Sequence, residues 1–287
     1  MTAARTLRVL APLALGVALR PALGVALRPA LGLALAFGLT GPAAAAECEL
    51  VPNTLWQVRQ AIAAGSRLVD RLDETPAEVA IVGRIGSDQS ERGIRYTHAG
   101  LAWRDHPAGR WHFVHLLNHC GSERSELFDD GPVTFFMERP FRYDAWVMVP
   151  DEEVQRSIVE LLREGVDGRL HEPRYSAIAH PFRARFQNSN QWLLELVALA
   201  LDPGGPPTRE RAQQVLRLEG FEPERVRLGF FERVGARRRE NVSLSDHARS
   251  ELRDGGYLYV SVASVARFLD QVGVLAQSFE IPADSAP

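Results

Sequence analysis

The sequence predicts an α+β fold in which helices pack on a central antiparallel sheet. Segments 96–103 and 111–117 are rich in β-formers and flank a turn that contains Asp, Pro and Gly, which favours an antiparallel hairpin. Segment 142–149 has the same character and leads into a predicted helix over 151–164. Segment 188–201 is the most apolar helical stretch after the N-terminal region, so we expect it to be the central buried helix.

The other elements follow from local signals. Asn53 or Thr54 can cap a helix that ends before Thr75-Pro76, and residues 78–84 form a short β-rich run. A run of Pro and Gly stops the central helix before residue 208. The remaining segment is predicted to contain a helix at 208–219, strands at 225–233 and 257–262, and a last helix at 263–275.

The N-terminal region has the features of a secretion signal. Residues 1–46 carry four Arg and no acidic residue, and an apolar run over 30–39 precedes Ala44 and Ala46, which form an A-x-A cleavage motif. The region contains no Arg-Arg pair, which favours the general secretory route and a periplasmic mature chain that begins at Glu47. An uncleaved membrane anchor is the alternative, because the apolar region approaches spanning length.

Charge and hydropathy bound the rest of the chain. It contains no Lys, and residues 47–287 carry 29 Arg against 36 acidic residues, a net charge of −7 that excludes a nucleic-acid binder. The best later candidate for a membrane span, 192–201, carries Glu195. We therefore expect no membrane span after signal cleavage, a core domain over 47–207, and an accessory α+β extension over 208–287 packed on it.

Two cysteines, Cys48 and Cys120, are compatible with one disulfide in an oxidising compartment. Such a bond would join the mature N-terminus to the middle of the core. The alternative is two free buried thiols.

Five of the eight histidines lie between residues 98 and 119, and this cluster raises the question of a metal site. His112 and His115 are three residues apart on a predicted strand, so they point to opposite faces, and we predict no metal or other cofactor. With the turn near Pro107, His98 lies across from His115 or Leu116, and His112 lies across from Leu101 or Ala102. His98 and His115 can then serve as a general base and the group that orients it.

Three short motifs resemble a known group of proteins. His98-Ala-Gly-Leu, then Val114-His115, then Asn188-Ser189-Asn-Gln-Trp-Leu resemble in order the His strand, polar strand and nucleophile helix of circularly permuted papain-like proteins. These are relatives of the NlpC/P60 peptidases and of lecithin:retinol acyltransferase. The resemblance implies a permuted papain-like core with His98 as base, His115 as orienter and Ser189 in place of the nucleophilic Cys.

A longer pattern resembles an uncharacterised secreted bacterial family, the domain of unknown function 2145. The segments that carry this resemblance are HLLNHCG, RYSAIAHPF and QNSNQW. It extends over most of the mature chain and implies no activity.

The function that follows from the papain-like resemblance is that of an amide or ester hydrolase or an acyltransferase. Its partner would be a cell-envelope peptide, peptidoglycan or a lipid. Ser189 leaves two alternatives open, because a serine at a helix start can also cap the helix without doing chemistry. The chain would then be a catalytically inactive envelope binding protein, and a metal-dependent protein that uses the histidine cluster is a third possibility.

Overall fold

A six-stranded antiparallel sheet forms the centre of the computed structural model, which describes residues 52–283. The strands in the described part of the chain are β1 (Val79–Ile85), β2 (His98–His106), β3 (Gly109–Asn118), β4 (Ser125–Asp130), β5 (Arg142–Pro150), β6 (Glu224–Arg227), β7 (Gly256–Tyr259) and β8 (Leu275–Ile281). The sheet has the spatial order β4-β3-β2-β1-β5-β8, and β6 pairs with β7 in a separate two-stranded sheet. The expected α+β class with a central antiparallel sheet is confirmed.

Helices cover both faces of the sheet. Those between residues 52 and 283 are α1 (Leu55–Asp73), α2 (Pro132–Phe135), α3 (Glu152–Arg163), α4 (Val166–Leu170), α5 (Ser189–Leu201), α6 (Arg209–Leu218), α7 (Phe230–Ala236), α8 (Arg249–Asp254) and α9 (Val262–Gln271). Because successive strand residues point to opposite sides, Val82 and Ala102 pack with α1 and α2, whereas Ile81 and Leu101 pack with α3, α5 and α9. Each face thus has its own apolar core.

The β2–β3 hairpin pairs in neither of the two expected registers, so His98 lies opposite neither His115 nor Leu116. Its turn consists of Pro107 and Ala108, and His112 lies opposite Trp103, not opposite Leu101 or Ala102. Gly100 lies beside His115, and a Cβ at this glycine would be only 2.9 Å from the His115 Cβ. A side chain at position 100 would therefore displace the His115 ring from the sheet surface.

Helix α5 is buried on all sides, as its apolar sequence predicts. Its N-cap is Asn188, whose side chain accepts a hydrogen bond from the backbone N–H of Gln191 at 2.7 Å. Glu195 is wholly buried in its middle and forms two hydrogen bonds to Arg209, at 2.7 and 3.0 Å. This pair joins α5 to α6.

The C-terminal part of the chain departs from the expected elements. The last helix ends at Gln271 instead of 275, and the following residues form β8, which completes the main sheet beside β5. The strand expected at 225–233 is shorter, since Phe230–Ala236 is helical. The segment after 207 therefore supplies part of the central sheet as well as peripheral elements.

Two sequence expectations concern residues outside the described range. The signal peptide over 1–46 and Cys48 both lie there. Cys120 is disulfide-bonded, and its pairing with Cys48 stays a prediction. No helix among residues 52–283 has the length and apolar character that crossing a bilayer requires.

Candidate active site

A cleft of about 550 Å³ opens at the end of the sheet where β2 and α5 both begin. His98 is the first residue of β2 and Ser189 the first residue of α5, and both line the cleft. They reach it from different sides, because His98 contacts Phe135 of α2 whereas α5 packs on the opposite face of the sheet. The cleft is therefore lined by residues from both faces of the sheet.

A chain of hydrogen bonds leads from β4 to the cleft. Nε2 of His98 lies 3.0 Å from Nδ1 of His115, and Nε2 of His115 lies 3.1 Å from a carboxylate oxygen of Asp130. A carboxylate only accepts, so His115 carries its proton on Nε2 and accepts from His98 through Nδ1. His98 then carries its proton on Nε2, and its Nδ1 is the nitrogen with a lone pair.

Burial keeps His98 in the neutral form. Loss of hydration, the positive charge of Arg84 and the neighbouring His115 lower the pKa of His98 well below its ordinary value of 6.5. At neutral pH the ring therefore carries no charge, and its free nitrogen can accept a proton. His115 is completely buried behind it and holds its orientation.

Arg84 is a buried cation beside this base. It pairs with His98 across β1 and β2, is 3% exposed and donates to the carbonyl oxygen of Phe135 at 2.6 Å. It also forms an ion pair with Glu138, while its buried Nε has no hydrogen-bond partner in the part of the chain that the structure describes. Arg84 lines the cleft.

Ser189 is not the residue that caps α5. Asn188 has that role, so the helix start does not require the Ser189 hydroxyl. The Ser189 side chain instead lies beside the phenol of Tyr175, whose pKa burial raises to about 12, so the phenol stays protonated. Ser189 is 5% exposed and occupies the helix end where backbone N–H groups lack intrahelical partners.

Asn190 fixes the helix start against the strand that carries His98. Its side-chain oxygen accepts from the N–H of Ala99 at 3.1 Å, and its side-chain nitrogen donates to the carbonyl of Thr97 at 3.4 Å. These two backbone groups flank His98. The position of Ser189 relative to His98 is thus set by a buried side chain.

The comparisons with known proteins give one family. Residues 71–269 match the family described as an uncharacterized protein conserved in bacteria, DUF2145. The chain belongs to this family. The matched range contains the cleft residues of β2 and α5, together with His115 and Asp130. No curated protein and no solved structure matches the chain.

The expected site residues lie close together in the structure, but not all of them are in contact. His98 and His115 are in direct contact, and Ser189 lies in the same cleft, but no hydrogen bond joins Ser189 to His98 within residues 52–283. His112 is separate from this cluster and contacts Asp129.

Sequence reasoning missed Asp130 and Asn190. Asp130 lies on β4. Its sequence SELFDD is as polar as that of a loop, so β4 was not predicted as an edge strand. Asn190 is part of the helix-start motif. An Asn buried in the first turn of a very apolar helix needs hydrogen-bond partners, and this requirement could have predicted its role.

Proposed function

We propose that this member of the DUF2145 family is a serine-dependent hydrolase or acyltransferase that acts on an amide or ester. The observation that carries the proposal is the hydrogen-bond chain from Asp130 through His115 to His98, which ends in the cleft lined by Ser189. His98 is the general base, His115 and Asp130 are positioning residues, and Ser189 is the nucleophile.

The chemistry proceeds in two steps. His98 Nδ1 takes the proton from the Ser189 hydroxyl as its oxygen attacks the substrate carbonyl, and the protonated ring then gives that proton to the leaving amine or alcohol. In the second step His98 takes a proton from water or from an acceptor alcohol or amine as it attacks the acyl carbonyl, and returns that proton to the Ser189 oxygen as the acyl group leaves. Backbone N–H groups at the start of α5 stabilise the negative oxygen formed in each step.

One rearrangement is required before attack. The Ser189 hydroxyl lies beside Tyr175 and forms no hydrogen bond with His98 within residues 52–283, so it must turn toward His98 when substrate enters. Catalytic hydrogen bonds that are absent or long without substrate commonly form only in the substrate complex. Asn190 keeps the two elements at a fixed separation during this change.

We also infer a permuted papain-like core and a periplasmic location. The first is supported by the chain order of His98 on β2, His115 on β3 and Ser189 at the start of a buried helix. The second is supported by the A-x-A motif before Glu47. A cell-envelope peptide, peptidoglycan or lipid is the corresponding substrate class. N-terminal sequencing of secreted protein tests the cleavage, and a chain with intact Met1 in the membrane fraction would contradict it.

A fluorophosphonate probe tests the catalytic proposal, because it labels only an activated serine. We expect labelling of the wild-type chain and its loss in Ser189→Ala and in His98→Ala. Ser125→Ala is the matched control: Ser125 is also buried beside a histidine, with its Oγ 3.1 Å from His171 Nε2, but it does not line the cleft. This control should keep the label.

Ser189→Cys tests the placement of His98 separately. A thiol at this position gains reactivity from the helix start and from a nearby base, so an alkylating probe should label it faster than Ser189→Cys combined with His98→Ala. If neither probe distinguishes these variants and the folded chain still retains an envelope ligand, the alternative of an inactive binding protein holds.

A further inference from the structure

We propose that His106, His112 and Asp129 form a binding site for a zinc-class divalent metal ion at the outer end of the β2–β3 hairpin. The site is separate from the cleft and does not depend on the proposed function. Within residues 52–283 it is the one group of three His, Cys, Asp or Glu side chains whose ligand atoms all lie within 4.8 Å of one another.

The three ligands come from three neighbouring strands. His106 ends β2, His112 lies on β3 and Asp129 lies on β4. Nε2 of His106 is 3.1 Å from one oxygen of Asp129, and Nδ1 of His112 is 2.8 Å from the other. A tetrahedral zinc ion with ligand bonds of about 2.0–2.2 Å separates its ligand atoms by distances of this order.

The rings are held in place before any ion binds. The imidazoles of His106 and His112 stack at 4.8 Å with an interplanar angle of 11°, and the Trp103 ring packs edge-on against His106 at 4.8 Å. The side chain of His106 is 12% exposed and that of His112 is 21% exposed, whereas Asp129 reaches solvent with 44% of its side chain exposed. An ion can therefore enter from the Asp129 side and keep a water molecule as its fourth ligand.

The donor set selects the metal. Two imidazole nitrogens and one carboxylate suit zinc and its transition-metal neighbours, whereas calcium and magnesium prefer oxygen ligands. In the metal-free chain the two rings donate their N–H groups to Asp129. Coordination moves each ring proton to the other nitrogen, and for His106 this breaks a 3.1 Å bond to the N–H of Ala108. Ala108 is exposed in the turn, so water replaces that partner.

A bound ion would connect β4 to the rest of the sheet. Among the described strands β4 is at the edge of the main sheet and pairs there with β3 alone, and Asp129 precedes Asp130, which holds His115 from the other face. A metal on Asp129 therefore restrains the strand end that carries Asp130. This gives the site a structural role without contact with the cleft.

Isothermal titration of the purified metal-free chain with Zn²⁺ tests the proposal. We expect one ion per chain, an affinity reduced at least about tenfold in His112→Ala and in Asp129→Ala, and no competition from Mg²⁺. His119→Ala is the matched control, since His119 is also a histidine with an acidic partner, Glu126 at 3.1 Å, but belongs to no group of three possible ligands among the described residues. Its affinity should equal that of the wild type.

A second measurement identifies the geometry. Co²⁺ in place of Zn²⁺ should give the visible absorption of a four-coordinate ion in the wild type and lose it in His106→Ala, with circular dichroism confirming that the variant is folded. The proposal is overturned if Zn²⁺ does not bind or if it binds equally to the folded ligand variants. Absence of zinc binding would leave the expected labelling of Ser189 unchanged, so the two proposals are tested independently.

Discussion

The side-chain oxygen of Asn190 lies 3.1 Å from the backbone nitrogen of Ala99, the residue that follows His98. The Asn190 amide nitrogen also reaches the carbonyls of Thr97 and Val260, both at 3.4 Å. One buried side chain thus connects the start of α5, the start of β2 and the residue after β7. The candidate nucleophile and the candidate base owe their common cleft to this connection.

Asn190→Ala is therefore expected to affect both stability and reactivity. It leaves the buried N–H of Ala99 without a partner, at a cost of about 1–3 kcal/mol in the free energy of unfolding. Probe labelling of Ser189 should fall as well, because the helix start is released from His98. Urea denaturation and labelling measure the two effects.

The control is Asn118→Ala, another amide that lines the cleft but that, among residues 52–283, donates only to the nearby carbonyls of His119 and Ser122. We expect a change within about 0.5 kcal/mol. Equal effects of the two substitutions would contradict the role of Asn190.

Asp130→Asn should change the proton positions in both histidines. An amide can donate to Nε2 of His115, which moves the His115 proton to Nδ1, and His98 must then accept through Nε2 and carry its proton on Nδ1. His98 would present an N–H to the cleft instead of a lone pair. A comparable change in the serine protease triad costs about 10⁴-fold in rate, and we expect a loss of about two to four orders of magnitude here.

Nitrogen-15 NMR of the imidazoles checks this prediction without a substrate, because it distinguishes the two neutral tautomers. His98 should be protonated on Nε2 in the wild type and on Nδ1 in Asp130→Asn. An unchanged His98 tautomer together with unchanged labelling of Ser189 would remove Asp130 from the mechanism.

The sequence allowed prediction of elements with strong local signals. The hairpin of β2 and β3 is predicted by two β-rich runs around a Pro-containing turn, and Thr54, one of the two candidate caps of the first helix, does cap α1. The cap of α5 is Asn188, whereas the expected capping alternative is Ser189. The contact between His98 and His115 follows from the hairpin, although the register differs by one residue from the nearer of the two expected alternatives, because the turn closes at His106 and Gly109.

Other features depend on tertiary structure. β4 and β8 are edge strands with exposed polar residues, so neither shows the apolar run of an internal strand. The Phe230-Phe231 pair favours a strand by propensity, yet it begins a helix whose first turn is stabilised by Glu232, which accepts from the N–H of Gly229 at 2.7 Å. Asp130 could be assigned only once β4 was placed beside β3.

The buried pair of Glu195 and Arg209 predicts a large asymmetry between single and double substitutions. Arg209 is 7% exposed and also donates to the carbonyls of Ala184 and Phe186, at 2.8 and 3.1 Å. Arg209→Leu leaves the Glu195 charge buried without its cation, which should cost about 3–5 kcal/mol.

The double variant Glu195→Leu with Arg209→Leu removes both charges and should recover part of that loss. Guanidinium denaturation of the single and double variants gives the coupling energy. Additive effects would show that the pair does not act as a unit.

The last prediction is that stability falls as the pH drops below about 6.5, the ordinary pKa of histidine. Burial lowers the pKa of His98, His106, His171 and His180 in the folded chain. Below pH 6.5 the unfolded chain therefore binds more protons than the folded chain at these four residues. Their contribution is fully present above pH 6.5 and is lost as the pH approaches each folded pKa.

Glu195 opposes this trend in part. Burial raises its pKa, so the folded chain binds a proton on Glu195 more readily than the unfolded chain does. The carboxyls of Glu172 and Glu251, whose pKa values are lowered, add to the loss of stability only at lower pH. Between pH 6.5 and 5 the histidines should therefore determine the sign, and the free energy of unfolding should decrease.

His98→Gln separates the contribution of the candidate base. A single proton-linked group changes the free energy of unfolding by at most about 1.4 kcal/mol per pH unit, and His98, at 8% exposed, should approach that limit. The variant should therefore give a shallower decrease between pH 6.5 and 5, measured by urea denaturation at a series of pH values. A general weakening of the fold would lower the free energy equally at every pH, so a parallel curve would show that His98 is not held neutral by burial.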